Sequence, residues 1–196
     1  MTINLAQIKQ ELFPGLRGIE GRVAAAYFAA LRPLPLRWAG LGRRPVPDDW
    51  HTIGPRPALP GGGNRKARLP MQAMVNFGYA LLEARIRIAA VAGGGLDLDH
   101  GIMHSPQRAK MAPRSPLVLD LMEPLRPRVD RALLRFVRGK VFRPSDFVIT
   151  VDGVCRLHPQ LARVVVGVVD RELGPIASAG SAPRAMVREL LAASTS

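Results

Sequence analysis

Two carboxylates three residues apart, Asp120 and Glu123, stand in LVLDLMEPLRPRVDRALL, residues 117–134. In helical geometry that spacing puts both on one side. Leu117, Val118, Leu119, Leu121 and Met122 set them in apolar surroundings, and Arg126, Arg128 and Arg131 follow closely. One chemistry open to such a pair is ion pairing with those arginines, since structural ion pairs are common. The other is metal ligation, if further donors converge. Two distant segments offer them: Glu20, between Gly18 and Gly21, and His104, after Gly101-Ile102-Met103. Carboxylates with an imidazole suit Mn²⁺ or Mg²⁺, with water filling the open positions. Two acids at ~4 Å repel by about 4 kcal/mol at an effective dielectric of ~20. A cation must therefore sit among them, either a metal or an arginine, and periodicity does not choose between these. Cys155 and His158 have a ligand-like spacing, but no second cysteine lies nearby, so a zinc site is not expected there.

The elements that must position these residues can be read from spacing. Pro124 and Pro127 predict a helix that begins or kinks near Pro124, because proline suits a first turn and fits an interior badly. Its apolar stripe is Leu125, Val129, Leu133 and Val137, at steps of four. The acids then sit at the mouth of that helix. Glu20 falls on LRGIEGRVAAAYFAALR, where Ile19, Val23, Tyr27 and Leu31 predict another helix. PMQAMVNFGYALLEARIRIAAVAGGG predicts a long helix from Pro70, with Met74, Phe77, Leu81, Ile88 and Ala92 on its core face and Gly93–Gly95 as its stop. His104 lies beyond that stop.

Between these helices, residues 32–69 are dense in proline and glycine and read as a long irregular loop. The loop carries Arg43, Arg44, Arg65, Lys66 and Arg68 with Trp38 and Trp50, a combination able to hold a nucleic-acid backbone. A solvated loop is the alternative. Downstream, a short helix after Ser145 or a hairpin around Asp152-Gly153 is expected. PQLARVVVGVVDREL predicts a helix with Leu161, Val165, Val168 and Val169 inward, although its valines leave a strand open. A flexible joint and a short amphipathic helix with Met186, Val187, Leu190 and Leu191 complete the chain.

Composition bounds the partners. The 196 residues carry 28 Lys+Arg against 15 Asp+Glu, a formal charge of +13, and most of the excess is arginine. The guanidinium fork matches phosphate oxygens, so nucleic acid is the indicated partner. The other source of such a composition is a basic, high-GC coding background. A single cysteine excludes an internal disulfide and points to a reducing compartment. No apolar run reaches membrane-spanning length. MTINLAQIKQEL lacks the basic start and long apolar centre of a signal peptide, so the chain is expected in the cytoplasm, without a membrane partner.

Four motifs occur in order and at suitable separations: LRGIEGRVAAAYF at 16–28, NFGYALLEA at 76–84, GIMHS at 101–105 and LVLDLMEPLRPRVD at 117–130. Together they resemble the spacer-integrating endonuclease family of CRISPR adaptation, the universal Cas integrase, over about residues 14–173. The resemblance implies a mainly α, multi-helix catalytic domain over 16–173, followed by the joint and short helix of 174–196. Residues 1–15 stand where the family carries a β-rich dimerisation domain. That domain is expected to be absent, which puts the family's homodimer in doubt here. The implied metal ligands are Glu20, His104 and Glu123, with Asp120 as a supporting acid and Glu83 outside the set. The implied cofactor is Mn²⁺ or Mg²⁺. Arg126 matches a position where the family can carry a DNA-contacting base. Arg17, Arg22, Arg43, Arg44, Arg65 and Lys66 are the other candidates for holding DNA. The implied activity is a metal-dependent DNA endonuclease and integrase of spacer acquisition, which maintains CRISPR repeat elements in antiviral defence. It would act on double-stranded, branched or spacer-end DNA with a small ferredoxin-like Cas partner. A non-catalytic DNA-binding remnant and an integrase of a related mobile element remain as alternatives.

Overall fold

The computed structural model of the protein describes residues 22, 25–55, 66–92, 98 and 115–174. The elements in order are a helix over 25–31 (α1), β1 Arg37–Trp38, α2 Pro70–Ala92, α3 Pro116–Met122, α4 Arg126–Gly139, β2 Val141–Phe142, β3 Phe147–Ile149, β4 Cys155–Leu157 and α5 Pro159–Leu173. The mainly α class is as expected. Glu20, His104, Arg17, Arg65, the Gly93–Gly95 stop and the helix expected around Met186–Leu191 lie outside the described residues.

α4 forms where the sequence places it. Leu125, Val129, Leu133 and Val137 are all buried, as a stripe at steps of four requires. Pro124 does not start a separate helix. The chain stays helical from Met122 (φ −74°, ψ −36°) to Arg126 (φ −54°, ψ −45°) and tightens into a 3₁₀ turn at Glu123–Leu125. Proline has no N–H to donate and its ring crowds the carbonyl four residues back, so α3 kinks into α4.

α2 runs through the middle of the fold and packs on α3, α4, α5 and β4. Its core face differs from the expected one. Met74, Leu82, Ile86 and Ala89 are buried, Phe77 and Leu81 only partly, and Ile88 is 67% exposed. A helix with neighbours on several sides is apolar over most of its circumference, so the repeat gives no sharp phase. Closest approach falls at Gly78. A Cβ there would lie 2.9 Å from Val129 Cγ1 and 3.2 Å from Leu133 Cδ1 on α4, and 3.7 Å from Val169 Cγ2 on α5.

α5 is a helix in spite of its valines, because Leu161, Val165, Val169 and Leu173 bury one face. Packing overrides the weak propensity cost of β-branched side chains. The expected hairpin is present: β3 pairs antiparallel with β4, Phe147 opposite Leu157. Gly153 takes φ +72° in its turn, a backbone that glycine enters without steric cost. The 3₁₀ turn Pro144–Asp146 stands where a short helix was expected.

Residues 32–55 are more ordered than the loop expected of them. β1 pairs in parallel with β2, Trp38 beside Phe142. Trp38 stacks on Trp50 at 5.8 Å, and Phe142 and Phe147 close the cluster at 5.6 Å from each other. Trp50 is buried, and its indole N–H donates to the Arg68 carbonyl at 3.2 Å. Trp38 donates to the Trp50 carbonyl at 3.1 Å. These rings serve the core, and Trp50 is closed to stacking on nucleotide bases. Burying two large aromatic rings offsets the entropy of ordering a segment rich in proline and glycine.

Two predictions follow from this packing. Gly78→Ala should lower the melting temperature: alanine's helix advantage of about 1 kcal/mol is outweighed by overpacking of about 1–3 kcal/mol against short, branched neighbours. Gly167→Ala on α5, where a Cβ meets nothing within 4 Å, should raise it. Thermal melts that move both variants in the same direction would refute the close crossing.

Burial pushes the Cys155 thiol up to about 12. Between the unfolded value near 9.0 and that value, the folded chain holds a proton that the unfolded chain has lost. This contribution is therefore complete below pH 9 and is lost as pH rises. Native chain should resist thiol alkylation at pH 8 while urea-unfolded chain reacts; equal rates would show that Cys155 is open to solvent.

Candidate active site

The expected acid pair sits on the α3–α4 kink. Asp120 lies in the last turn of α3 and is fully buried. Glu123 opens the 3₁₀ turn, with its side chain 25% exposed. A buried carboxylate must be paired or neutralised. Glu123 has a cation beside it: Arg126 Nη1 is 2.8 Å from Glu123 Oε1. Of the two chemistries open in the sequence, ion pairing with a neighbouring arginine is therefore realised at Glu123.

Arg126 has a second contact. Its guanidinium carbon lies 5.3 Å from the centre of the Tyr79 ring, in cation–π range. The Tyr79 hydroxyl donates to Asp130 Oδ1 at 2.8 Å. Asp130 is 8% exposed and sits one turn beyond Arg126 on α4. A line of polar groups thus runs Glu123, Arg126, Tyr79, Asp130 across the junction of α2 and α4. It continues towards α1, where the Tyr27 hydroxyl is held above its ordinary pKa by burial and then by the charge of Asp130. Tyr27 and Asp130 line an apolar cleft with Phe28, Leu31, Met71 and Val75.

Tyr79 and Asp130 had no role in the sequence reading, although both fall within its motifs. The available signal was an acid next to the Leu125–Val137 stripe, four residues after Arg126. Glu83 is engaged by Arg87 on α2 at 3.1 Å, and Arg87 Nη1 also donates to Ser115 Oγ at 3.1 Å, tying α2 to the start of α3. Among the basic candidates, Arg22, Arg43, Arg44 and Lys66 are exposed. Arg43 and Arg44 sit in the turn after β1, where both backbone N–H groups donate to the Gly40 carbonyl. Arg128 donates to the Glu172 carbonyl, and Arg131 is exposed.

Two of the four expected metal-site residues, Asp120 and Glu123, are thus described. Both are oxygen donors, as hard divalent cations prefer. They lie three residues apart at the kink, and one of them already neutralises a positive charge, so they fit such an ion. Among the described residues, no group of three His, Cys, Asp or Glu side chains could hold a metal. That includes Cys155 with His158. The thiol is buried and its thiolate disfavoured, and the His158 ring Nδ1 accepts from Gln160 N at 3.4 Å, capping α5.

Known proteins share this chain's sequence pattern and fold. The family model described as CRISPR associated protein Cas1 matches residues 4–171. A CRISPR-associated endonuclease Cas1 of Thermus thermophilus is 34% identical over 143 residues, covering 71% of this chain and 37% of the relative. One of Archaeoglobus fulgidus is 32% identical over 153 residues, covering 77% and 39%. One of Methanopyrus kandleri is 34% identical over 130 residues, covering 65% and 33%. The chain therefore spans a third to two fifths of the length of these curated relatives. Among solved structures, a casposase bound to its integration product superposes with a TM-score of 0.57 at 28% identity, covering 80% of this chain and 40% of the casposase. With the family pattern running over residues 4–171 and relatives at 32–34% identity, the chain belongs to the CRISPR associated protein Cas1 family.

Proposed function

We propose that this chain is the α-helical catalytic part of a Cas1-type enzyme, a divalent-metal-dependent DNA endonuclease and integrase of CRISPR spacer acquisition. The observation that carries the reading is the Asp120–Glu123 pair, one acid fully buried and the other facing a cation, on the α3–α4 kink within the Cas1 match. Glu20, His104 and Glu123 would hold Mn²⁺ or Mg²⁺, with Asp120 as a supporting acid. The bound ion would supply Lewis-acid polarisation of a phosphoryl oxygen and orientation of the attacking 3′-hydroxyl.

The chain's own residues do the rest. Glu123 supplies negative charge at the kink, and Glu20 is proposed to join it. Asp120 lies buried one turn before Glu123. Arg22, Arg43, Arg44 and Lys66 are exposed and free to meet phosphate oxygens, with Arg17 and Arg65 proposed to join them. The proposed substrates are double-stranded DNA with branched or spacer ends and the repeat array that receives them. A small ferredoxin-like Cas protein is the proposed protein partner. The proposed location is the cytoplasm. Among the described residues, no helix is long and apolar enough to cross a membrane.

With Mn²⁺ and a branched duplex, His104→Ala and Glu123→Ala should each lose more than about 100-fold in cleavage or strand transfer, beyond the range of outer-shell changes. Their melting temperatures should stay close to the parent's. Full activity in either purified variant would sink the ligand assignment.

Duplex affinity should fall steeply with salt, the log–log slope gaining roughly −0.9 for each phosphate neutralised. Replacing Arg43 and Arg44 together by alanine should flatten that slope by up to about 1.8. A slope near zero in the parent would remove the electrostatic basis for DNA as partner.

A further inference from the structure

We propose that Arg126 is the resident counter-ion of Glu123: a divalent cation gains that carboxylate only by displacing the guanidinium, which then takes a phosphate oxygen of the DNA. The proposal rests on the metal reading above and adds to it an exchange of partners at one residue.

Three observations carry it. Arg126 and Glu123 are paired at 2.8 Å, three residues apart on the same kink. A guanidinium at that distance occupies one carboxylate oxygen and places like charge beside any metal ion bound there. Next, the pairing leaves the guanidinium incompletely served: Arg126 Nε is buried and has no acceptor among the described residues. A buried donor without a partner is rare and calls for a reason. A side chain parked between two uses supplies one, because its fork is built to take two acceptors at once, as a phosphate offers. Last, the parking place is rigid. The Tyr79 face lies 5.3 Å from the guanidinium carbon, and the Tyr79 hydroxyl is tethered at 2.8 Å to Asp130, buried one turn along α4. Asp130 and the ring hold the arginine at the site whichever anion it serves. Tyr79 and Asp130 are thus positioning residues, and Arg126 is the group that meets the DNA.

The exchange makes two measurable claims. Without DNA, Mn²⁺ titration of the full chain followed by electron paramagnetic resonance should show Arg126→Gln binding about tenfold more tightly than the parent, because the competing charge is gone. Arg126→Lys keeps the charge and should stay within about threefold of the parent. With DNA, saturating Mn²⁺ should strengthen duplex binding more in the parent than in Arg126→Gln, since only the parent has a cation to release. Far-ultraviolet circular dichroism checks that each variant is folded. Mn²⁺ affinity unchanged or weakened in folded Arg126→Gln, while Glu123→Gln still impairs binding, would overturn the exchange alone. A parent that binds no Mn²⁺ would overturn the metal reading and this inference with it. Equal Mn²⁺ enhancement of duplex binding in both proteins would overturn the transfer to phosphate.

Discussion

The close crossing at Gly78 is the constraint on which the rest of the structure depends. With only a hydrogen at that position, α4 and α5 approach α2 near enough for Val129, Leu133 and Val169 to meet its backbone. The next residue, Tyr79, is thereby brought within hydrogen-bond reach of Asp130, the neighbour of Val129. A second tie joins the other end of the unit, Arg87 on α2 to Ser115 just before α3. The α3–α4 kink, with Asp120 and Glu123, lies between these two anchors. Its acids sit on a short stretch of backbone tied down on both sides.

The helices were legible in the sequence to the degree that each has one wet side. α4 shows a narrow stripe, and every member of it is buried. α2 was legible as a helix but not in its phase: Ile88 was expected inside and is largely exposed. Its neighbours on several sides reward apolar residues nearly all round, and a periodic signal needs contrast. Residues 32–55 failed for another reason. Proline and glycine report what the local backbone resists, while the order there comes from Trp38 and Trp50 meeting Phe142 and Phe147, about a hundred residues later in the chain. No local pattern carries that contact.

At the site, the acid pair was legible because its spacing and apolar setting are local facts. The choice between metal and arginine was not local, and at Glu123 the answer found is an arginine three residues away. The Tyr79–Asp130 bond spans 51 residues. In sequence each partner reads as an ordinary member of its helix, a tyrosine on a long apolar stretch and an acid among arginines. Only the crossing at Gly78 makes them neighbours. Family motifs that contain both residues mark the stretch without saying why either type is needed.

The charge of +13 also divides once the helices are in place. Arg85 with Asp170, Arg87 with Glu83 and Arg135 with Glu172 are ion pairs on helix surfaces, and Arg128 is directed at a helix-end carbonyl. Such pairs contribute little stability each, about 0–1 kcal/mol, because solvent screens them. Their effect is to neutralise the three acids of α2 and α5, Glu83, Asp170 and Glu172, internally. Arg43 and Arg44 stand apart from that pairing, in a turn whose backbone bonds go to Gly40 and whose side chains are exposed. Arg126 belongs to neither group. It has an acid, as the structural arginines do, yet it sits beside the acid pair of the kink, and among the described residues its Nε has no acceptor. A cation so placed offsets the charge of Glu123 beside the buried Asp120. Arg126 thus joins the two roles that the other arginines divide, pairing an acid within the fold and standing at the α3–α4 junction with a polar line to Tyr79 and Asp130.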